Sequence, residues 1–197
     1  MIDSEREKLF SRNGIFISIG ITEDGERLEK IGVPWQATSY AFNMKLPDVY
    51  ITPSDIDDEE IMDKILSFIV VGCYIWAPLP SYGFISRFKN LYDLSISSAE
   101  GILDLEFLFG LDCTMISFYN SHIKSLEPML CAKGLAKSPD LSFKCVSLTD
   151  CTLDDIGDLF NSKYRFREFI VKCESGTNEM ERYRGVNADK YIYREFD

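Results

Sequence analysis

The sequence predicts an α/β fold built from repeated units, each with one strand and one return segment. Four apolar positions, at offsets 0, 3, 5 and 10 of a row, recur six times along the chain. The spacing between rows is nearly constant, and apolar residues at helical spacing follow several rows. A fixed period of this length indicates that one supersecondary unit is stacked along a single axis.

Apolar residues fill 21 of the 24 apolar slots, whereas a chain that is 46% apolar would fill about 11 by chance. Offsets 3 and 5 of a strand point to the same side, inward, and offsets 4 and 6 point outward. We therefore expect six adjacent, parallel strands with buried pairs such as Val146 and Leu148. The rows begin at Leu46, Val70, Leu91, Cys113, Phe143 and Phe166, at spacings of 24, 21, 22, 30 and 23 residues.

The segments between the rows are predicted to return the chain as helices. Ser54 and Asp55 precede a run of acidic residues that favours a helix start. Apolar residues lie at helical spacing in two further segments: Ile123, Leu126 and Leu130, and Leu153, Ile156, Leu159 and Phe160.

The ends of the chain are predicted to form caps. Residues 1–45 are predicted to form a β-rich cap, because apolar residues alternate along 15–21 and an Asp-Gly turn follows at 24–25. A second strand fits 27–32 and a third short strand fits 40–45. Residues 46–175 form the array. Residues 176–197 form a C-terminal cap, in which 191–196 supply a last strand.

The six rows resemble a short, irregular leucine-rich repeat array. The resemblance implies a solenoid with a curved parallel sheet, helical or irregular convex segments, and a role in binding a partner. The Asn position of the family, offset 8, departs from the pattern and holds Ser54, Pro78, Ala99, Ser121, Cys151 and Glu174. Only Cys151 fits the Asn/Cys preference, although Ser54 and Ser121 can donate weakly to a turn.

Charge favours a protein partner over nucleic acid. The formal net charge is −11, and an acidic surface repels phosphate backbones but suits a basic protein. The apolar stretch from 65 to 80 is too short to span a membrane, and the N-terminus lacks a targeting pattern. We therefore expect a cytoplasmic protein with reduced cysteines that binds no membrane.

Catalytic and cofactor motifs are scarce. His122 is the only histidine, which excludes multi-histidine zinc sites, and the chain lacks nucleotide-binding and EF-hand patterns. We expect no cofactor, no metal and no enzymatic activity. One alternative stays open, in which His122 activates Cys145 or Cys173 as a nucleophile.

The outward offsets supply the candidate partner site, because aromatic anchors carry much of the energy of an interface and carboxylates steer a basic partner. Three other functions remain open: an immunity-type protein that neutralises a toxin, an enzyme that uses a groove beside the array, and a purely structural module. The alternative for the site itself is that the N-terminal cap buries the aromatic residues as core. The site residues at offsets 4 and 6 are Tyr50, Tyr74, Trp76 and Tyr119; Tyr92 lies further along the face, and Asp48 and Asp93 flank these residues at offset 2.

Overall fold

One large sheet dominates the described part of the chain. In this computed structural model the described residues are 15–20, 35–39, 46–67, 69–89, 91–97, 99–109, 111, 113–130, 144–160, 165–174 and 182–196. The strands are β1 (Ile15–Gly20), β2 (Trp35–Ser39), β3 (Leu46–Ile51), β4 (Ile69–Ile75), β5 (Asp93–Ser97), β6 (Ile102–Leu103), β7 (Met115–Tyr119), β8 (His122–Ser125), β9 (Lys144–Thr149), β10 (Thr152–Asp155), β11 (Phe166–Glu174) and β12 (Ala188–Phe196).

Six of these strands form a parallel sheet. The order within the large sheet is β12-β11-β9-β7-β5-β4-β1-β3-β2, and every pair from β12 to β4 is parallel. One register row runs through the inward residues at offset 3, all of them buried: Cys73, Leu94, Ile116, Val146 and Phe169. The predicted parallel arrangement and register are confirmed for the rows that begin at Val70, Leu91, Cys113, Phe143 and Phe166.

The prediction for the first row is wrong. The strand that begins at Leu46, β3, does not lie beside β4, because β1 lies between them and pairs antiparallel with both. Ile15 and Ile17 of β1 are fully buried, so β1 supplies the inward residues that the repeat pattern assigned to the neighbouring row. An alternating pattern specifies which residues point inward but not which strand lies alongside.

Three of the return segments form a second parallel sheet, which in two of them replaces the predicted helix. This sheet has the order β10-β8-β6, with Leu103, Ile123 and Leu153 in one buried row. Short helices follow its strands: 3-10 helices at Glu106–Leu108 and Gly157–Phe160, and a short α-helix at Glu127–Leu130. The apolar spacing of three fits a strand that leads into a 3-10 turn, which has three residues per turn.

The helix after the first row begins later than predicted. Ser54 and Asp55 lie in a 3-10 helix, Pro53–Asp57, and the helix α1 spans Glu59–Leu66. The side chain of Asp58 accepts hydrogen bonds from the backbone N–H groups of Glu60 and Ile61, so Asp58 is the N-cap. Neither α1 nor any other helix in the described part of the chain has the length and hydropathy that a membrane crossing requires.

Two successive rows end in the same turn. Asn120 and Asp150 both have positive φ angles, of 45° and 50°. The next residue then donates its side-chain hydrogen to the carbonyl two residues earlier: Ser121 Oγ to Tyr119 O at 2.7 Å, and Cys151 Sγ to Thr149 O at 3.3 Å. Ser121 and Cys151 both occupy offset 8, so this position stabilises the turn with a hydroxyl in one row and a thiol in the next.

A glycine in the left-handed region directly precedes β6, and this yields a stability prediction. Gly101 has a φ of +64°, and a Cβ there would meet no atom within 4 Å. Gly101→Ala is expected to cost about 1 kcal/mol through backbone conformation alone. Asparagine tolerates the left-handed region better than alanine, so Gly101→Asn is expected to cost less. Both free-energy changes are measured in urea melts. Equal losses for both variants would contradict this explanation.

The C-terminal strand closes the sheet as predicted. β12 pairs in parallel with β11 along its whole length. Below them Phe169 packs against three rings, with centroid distances of 5.2 Å to Phe166, 5.9 Å to Tyr183 and 6.4 Å to Tyr191. Tyr183, from residues 176–197, is therefore part of the same hydrophobic core.

Candidate partner-binding face

The candidate site is the side of the parallel sheet that faces away from the core, here called the outward face. Two rows of residues cross this face. On the middle strands, most residues of these rows have small side chains that carry a hydroxyl group. The first row, at offset 4, is Tyr74, Ser95, Ser117, Ser147, Ile170 and Ile192. The second row, at offset 6, is Trp76, Ser97, Tyr119, Thr149, Lys172 and Arg194.

Two aromatic side chains meet above the second row. The ring centroids of Trp76 and Tyr119 are 5.6 Å apart and their planes are tilted by 31°. The backbones of β4 and β7 are about 10 Å apart, because β5 lies between them. The rings therefore lean toward each other over Ser97, whose exposed fraction falls to 7%. A side chain as small as serine at this position leaves room for the aromatic pair.

A tyrosine and a carboxylate are paired in the same part of the face. Tyr74 Oη donates a hydrogen bond to Asp93 Oδ2 at 3.0 Å. Burial raises the pKa of Asp93, and the hydrogen bond from Tyr74 partly opposes this rise. Both side chains are half-buried. The pair fixes the rotamer of Tyr74 and places a desolvated carboxylate beside the aromatic residues.

Asp93 is half-buried, and its register neighbours on the two sides differ in size. In the register, Asp93 lies between Gly72 on β4 and Met115 on β7. Gly72 offers no side chain to cover it, and Met115 is 40% exposed. The Asp93 carboxyl group therefore has an apolar side chain on one side, only backbone on the other, and the Tyr74 hydroxyl as its hydrogen-bond donor.

The far end of the outward face carries two adjacent basic residues. Lys172 and Arg194 are register partners on adjacent strands, and Thr149 lies beside Lys172 in the same row. The Thr149 hydroxyl is buried and has no hydrogen-bond partner among the described residues. The sequence pattern places Lys172 at an outward offset. Arg194 lies beyond the last row, so only the position of β12 in the structure shows that the two residues are adjacent.

Comparisons with protein-family models, curated proteins and solved structures found no match to this chain.

The structure brings together four of the seven predicted site residues: Tyr74, Trp76, Tyr119 and Asp93. Tyr92 lies directly before β5 and is half-buried; its carbonyl accepts hydrogen bonds from the backbone of Thr114 and Met115. The predicted adjacency of Tyr50 and Tyr74 is wrong, because Phe16 of β1 is the backbone partner of both. The side chains of Tyr50 and Asp48 lie outside the described residues.

The N-terminal strands extend the sheet sideways. β1 is hydrogen-bonded to the edge of β4, and β3 and β2 follow beyond it. This described part of the predicted cap therefore lies beside the outward face and not across it. Tyr74, Trp76 and Tyr119 are each half-buried, in contrast to the fully buried inward residues of the same strands.

The residues of the catalytic alternative lie in different parts of the fold. His122 lies on β8 of the second sheet, where Nε2 is 2.6 Å from Asp154 Oδ1. Cys145 is on the outward face, and Cys173 is buried and donates to Tyr193 Oη at 3.1 Å. Burial also raises the pKa of the Cys145 thiol, which opposes thiolate formation. Within the described residues there is no group of three or more His, Cys, Asp or Glu suited to a metal ion.

The raised pKa of Asp93 predicts a stability cost. A carboxyl whose folded pKa lies above its unfolded value contributes stability that is present at low pH and is lost as the pH rises through the folded pKa. Asp93→Asn, which stays neutral, is therefore expected to raise the melting temperature at pH 7 and to change it little at about pH 3.

Asp104 provides the matched control for this measurement. A hydrogen bond from Lys124 lowers the pKa of Asp104, so Asp104→Asn is expected to change stability at pH 7 in the opposite direction. The side chain of Asp104 is 41% exposed, and we expect the change to be small. A lower melting temperature for Asp93→Asn at pH 7 would show that the Tyr74–Asp93 pair is a net structural contact.

Proposed function

We propose that this chain is a protein–protein interaction module, in which a leucine-rich-repeat-like solenoid presents its outward face to a basic segment of a protein partner. The observation that carries the proposal is the pair of aromatic contacts on that face: Trp76 with Tyr119, and Tyr74 with Asp93. Each contact joins residues from different strands on the side of the sheet away from the core.

The composition of the face supports a protein ligand. Tyrosine, tryptophan and serine dominate antibody binding surfaces, because the rings bury a large area with few rotatable bonds and the hydroxyls adapt to varied polar groups. The rings lie at one side of the face, and the small side chains of Ser117 and Ser147 leave space beside them. A protruding side chain of the partner would pack against the rings and over the serines.

The aromatic residues are also ordered before binding. Tyr74 is held by Asp93, and Trp76 and Tyr119 hold each other. Ordering a mobile side chain at an interface costs roughly 0.5–1.5 kcal/mol, so rings that are already in place bind a partner at a lower entropic cost.

The charge of the chain supports a basic partner. With a net charge of −11 the protein attracts cations at long range, and Asp93 provides a specific carboxylate at the aromatic site. Long-range attraction raises the association rate, whereas the half-buried carboxylate selects the position of the basic group.

The solenoid part of the proposal is supported by the repetition within the fold. Five rows have the same register, and two successive rows end in equivalent turns at Asn120 and Asp150. The second sheet repeats alongside, which is the stacking expected when each unit buries its apolar face against its neighbours.

Two alternatives remain, of which one is a narrower form of the proposal and the other belongs to a different class. An immunity-type protein that neutralises a basic toxin is a narrower form of the same proposal, and charge and size are its support. An enzyme would need titratable groups that converge in one groove. The separation of His122 from Cys145 and Cys173 favours the interaction module. We further propose a cytoplasmic location, since a reducing compartment suits the free cysteines at 73, 113, 145, 151 and 173.

Arginine substitutions on the two sheets test the proposal. Ser117→Arg adds a long side chain at the centre of the outward face, and Thr152→Arg adds the same side chain at an exposed position of the second sheet. In quantitative affinity capture from the native lysate, Ser117→Arg should lose the proteins that the wild type retains, and Thr152→Arg should keep them. Equal retention by both variants, with unchanged melting temperatures, would exclude the outward face.

A further inference from the structure

The outward face carries opposite charges at its two ends. Asp93 lies on β5, toward one edge of the parallel strands, and Lys172 and Arg194 lie on β11 and β12, toward the other. Met115, Ser117 and Ser147 occupy the strands between them and carry no charge. A ligand that crosses the strands therefore meets an acidic side chain first and a basic pair last.

The basic pair is unusual for this chain. Like charges on directly adjacent strands destabilise a sheet, and Lys172 and Arg194 are register partners. The chain has more acidic than basic residues, yet neither cation forms an ion pair with another described residue. Other cations do so on the same sheet, as Lys190 does with Glu168 at 3.2 Å.

A polar group without a partner lies beside the basic pair. The buried hydroxyl of Thr149 has no hydrogen-bond partner among the described residues, and Thr149 is the register neighbour of Lys172. A buried hydroxyl normally makes a hydrogen bond. A carboxylate bound by the two cations could accept one from this hydroxyl as well.

We propose that the partner binds as an extended segment with two charges of opposite sign: a basic side chain at Asp93 and an acidic side chain at Lys172 and Arg194. This inference rests on the proposed function and adds the chemistry and the direction of the bound segment. Tyr74 and Met115 flank the basic group, and Thr149 donates to the acidic one.

The spacing of the two charges in the partner follows from sheet geometry. Three strand separations of about 4.8 Å lie between β5 and β11, and Lys172 lies four residues further along its strand than the register partner of Asp93. The two sites are therefore about 20 Å apart. An extended chain advances about 3.3 Å per residue, so the two side chains should be about six positions apart. An even number places both on the same side of the segment.

Peptide display tests this inference without a known partner. A random library of peptides long enough to cross the face is selected on the wild-type chain and on each variant. Wild-type selection should enrich peptides with a basic and an acidic residue about six positions apart. Asp93→Asn should abolish the preference for the basic residue and leave the preference for the acidic residue unchanged. Lys172→Glu with Arg194→Glu should replace the acidic preference with a basic one.

Matched controls separate this inference from the proposed function. Lys89→Glu with Lys124→Glu makes the same change in net charge at exposed residues, Lys124 being on the second sheet, and should leave the preferences unchanged. Ser117→Arg could displace the peptides while they show no charge pattern, or the same pattern on every variant. That result would overturn the proposed pair of opposite charges and leave the proposed function standing. If Ser117→Arg displaces no enriched peptide, both are overturned. Each variant is melted first to establish that it is folded.

Discussion

Replacing Leu94 by alanine is expected to lower the free energy of unfolding by about 2–5 kcal/mol. Leu94 is fully buried at the centre of the inward row, with Cys73 on one neighbouring strand and Ile116 on the other. Strands on both sides restrict the collapse of the cavity that the shorter side chain leaves. The measurement is a urea melt followed by circular dichroism.

Ile102→Ala provides the matched control for the loss of an aliphatic side chain. Ile102 is 56% exposed on β6 of the second sheet, so its truncation should cost well under 1 kcal/mol. If Leu94→Ala cost no more than Ile102→Ala, the inward row would not be the core of the domain.

Replacing Trp76 by alanine is expected to weaken partner binding by about 30-fold or more, which corresponds to about 2 kcal/mol. The change removes the indole itself and also frees Tyr119, which loses the ring that orders it. The dissociation constant would be measured by calorimetry with the purified partner. Tyr74→Ala should add to the loss, because it removes a ring and the hydrogen bond to Asp93.

Phe160→Ala controls for the removal of an exposed aromatic ring elsewhere. Phe160 is 41% exposed in the 3-10 helix that follows β10, so its loss should leave the dissociation constant unchanged. The Trp76→Ala chain must also melt close to the wild type. A collapsed melting temperature would place Trp76 in the core and remove the basis of the proposed site.

The register of the parallel strands could be predicted because two independent signals agree. Alternation assigns the inward residues of each row, such as Val146 and Leu148, and the near-constant spacing assigns the rows to one stack. Neither signal specifies whether a neighbouring strand runs parallel or antiparallel. The pattern therefore cannot predict that β1 lies between β3 and β4, since antiparallel and parallel neighbours bury the same alternate residues.

The return segments show a second limit. Ile123 and Leu126, like Leu153 and Ile156, are three residues apart, which fits an α-helix and equally a strand that leads into a 3-10 turn. The decision depends on hydrogen bonds between successive units, such as that from Thr152 N to Ser121 O at 3.1 Å. Such contacts between distant segments override local helical preference.

The candidate site could be predicted in part. Outward offsets identified Tyr74, Trp76, Tyr119 and Asp93 from alternation alone. The contacts that organise them, Trp76 over Ser97 to Tyr119 and Tyr74 to Asp93, depend on how side chains lean across a strand, and the sequence does not contain that information. The basic pair required the parallel position of β12, which lies outside the repeat.

The most direct test of the central claim is site-specific photo-crosslinking in the native lysate. A photoreactive amino acid is placed at Ser147, in the middle of the outward face, or at Lys124, exposed on the second sheet. The proposal predicts a discrete protein adduct from position 147, abolished by Trp76→Ala, and none from position 124. Adducts from position 124 alone, or adducts from 147 that persist in the Trp76→Ala chain, would contradict it.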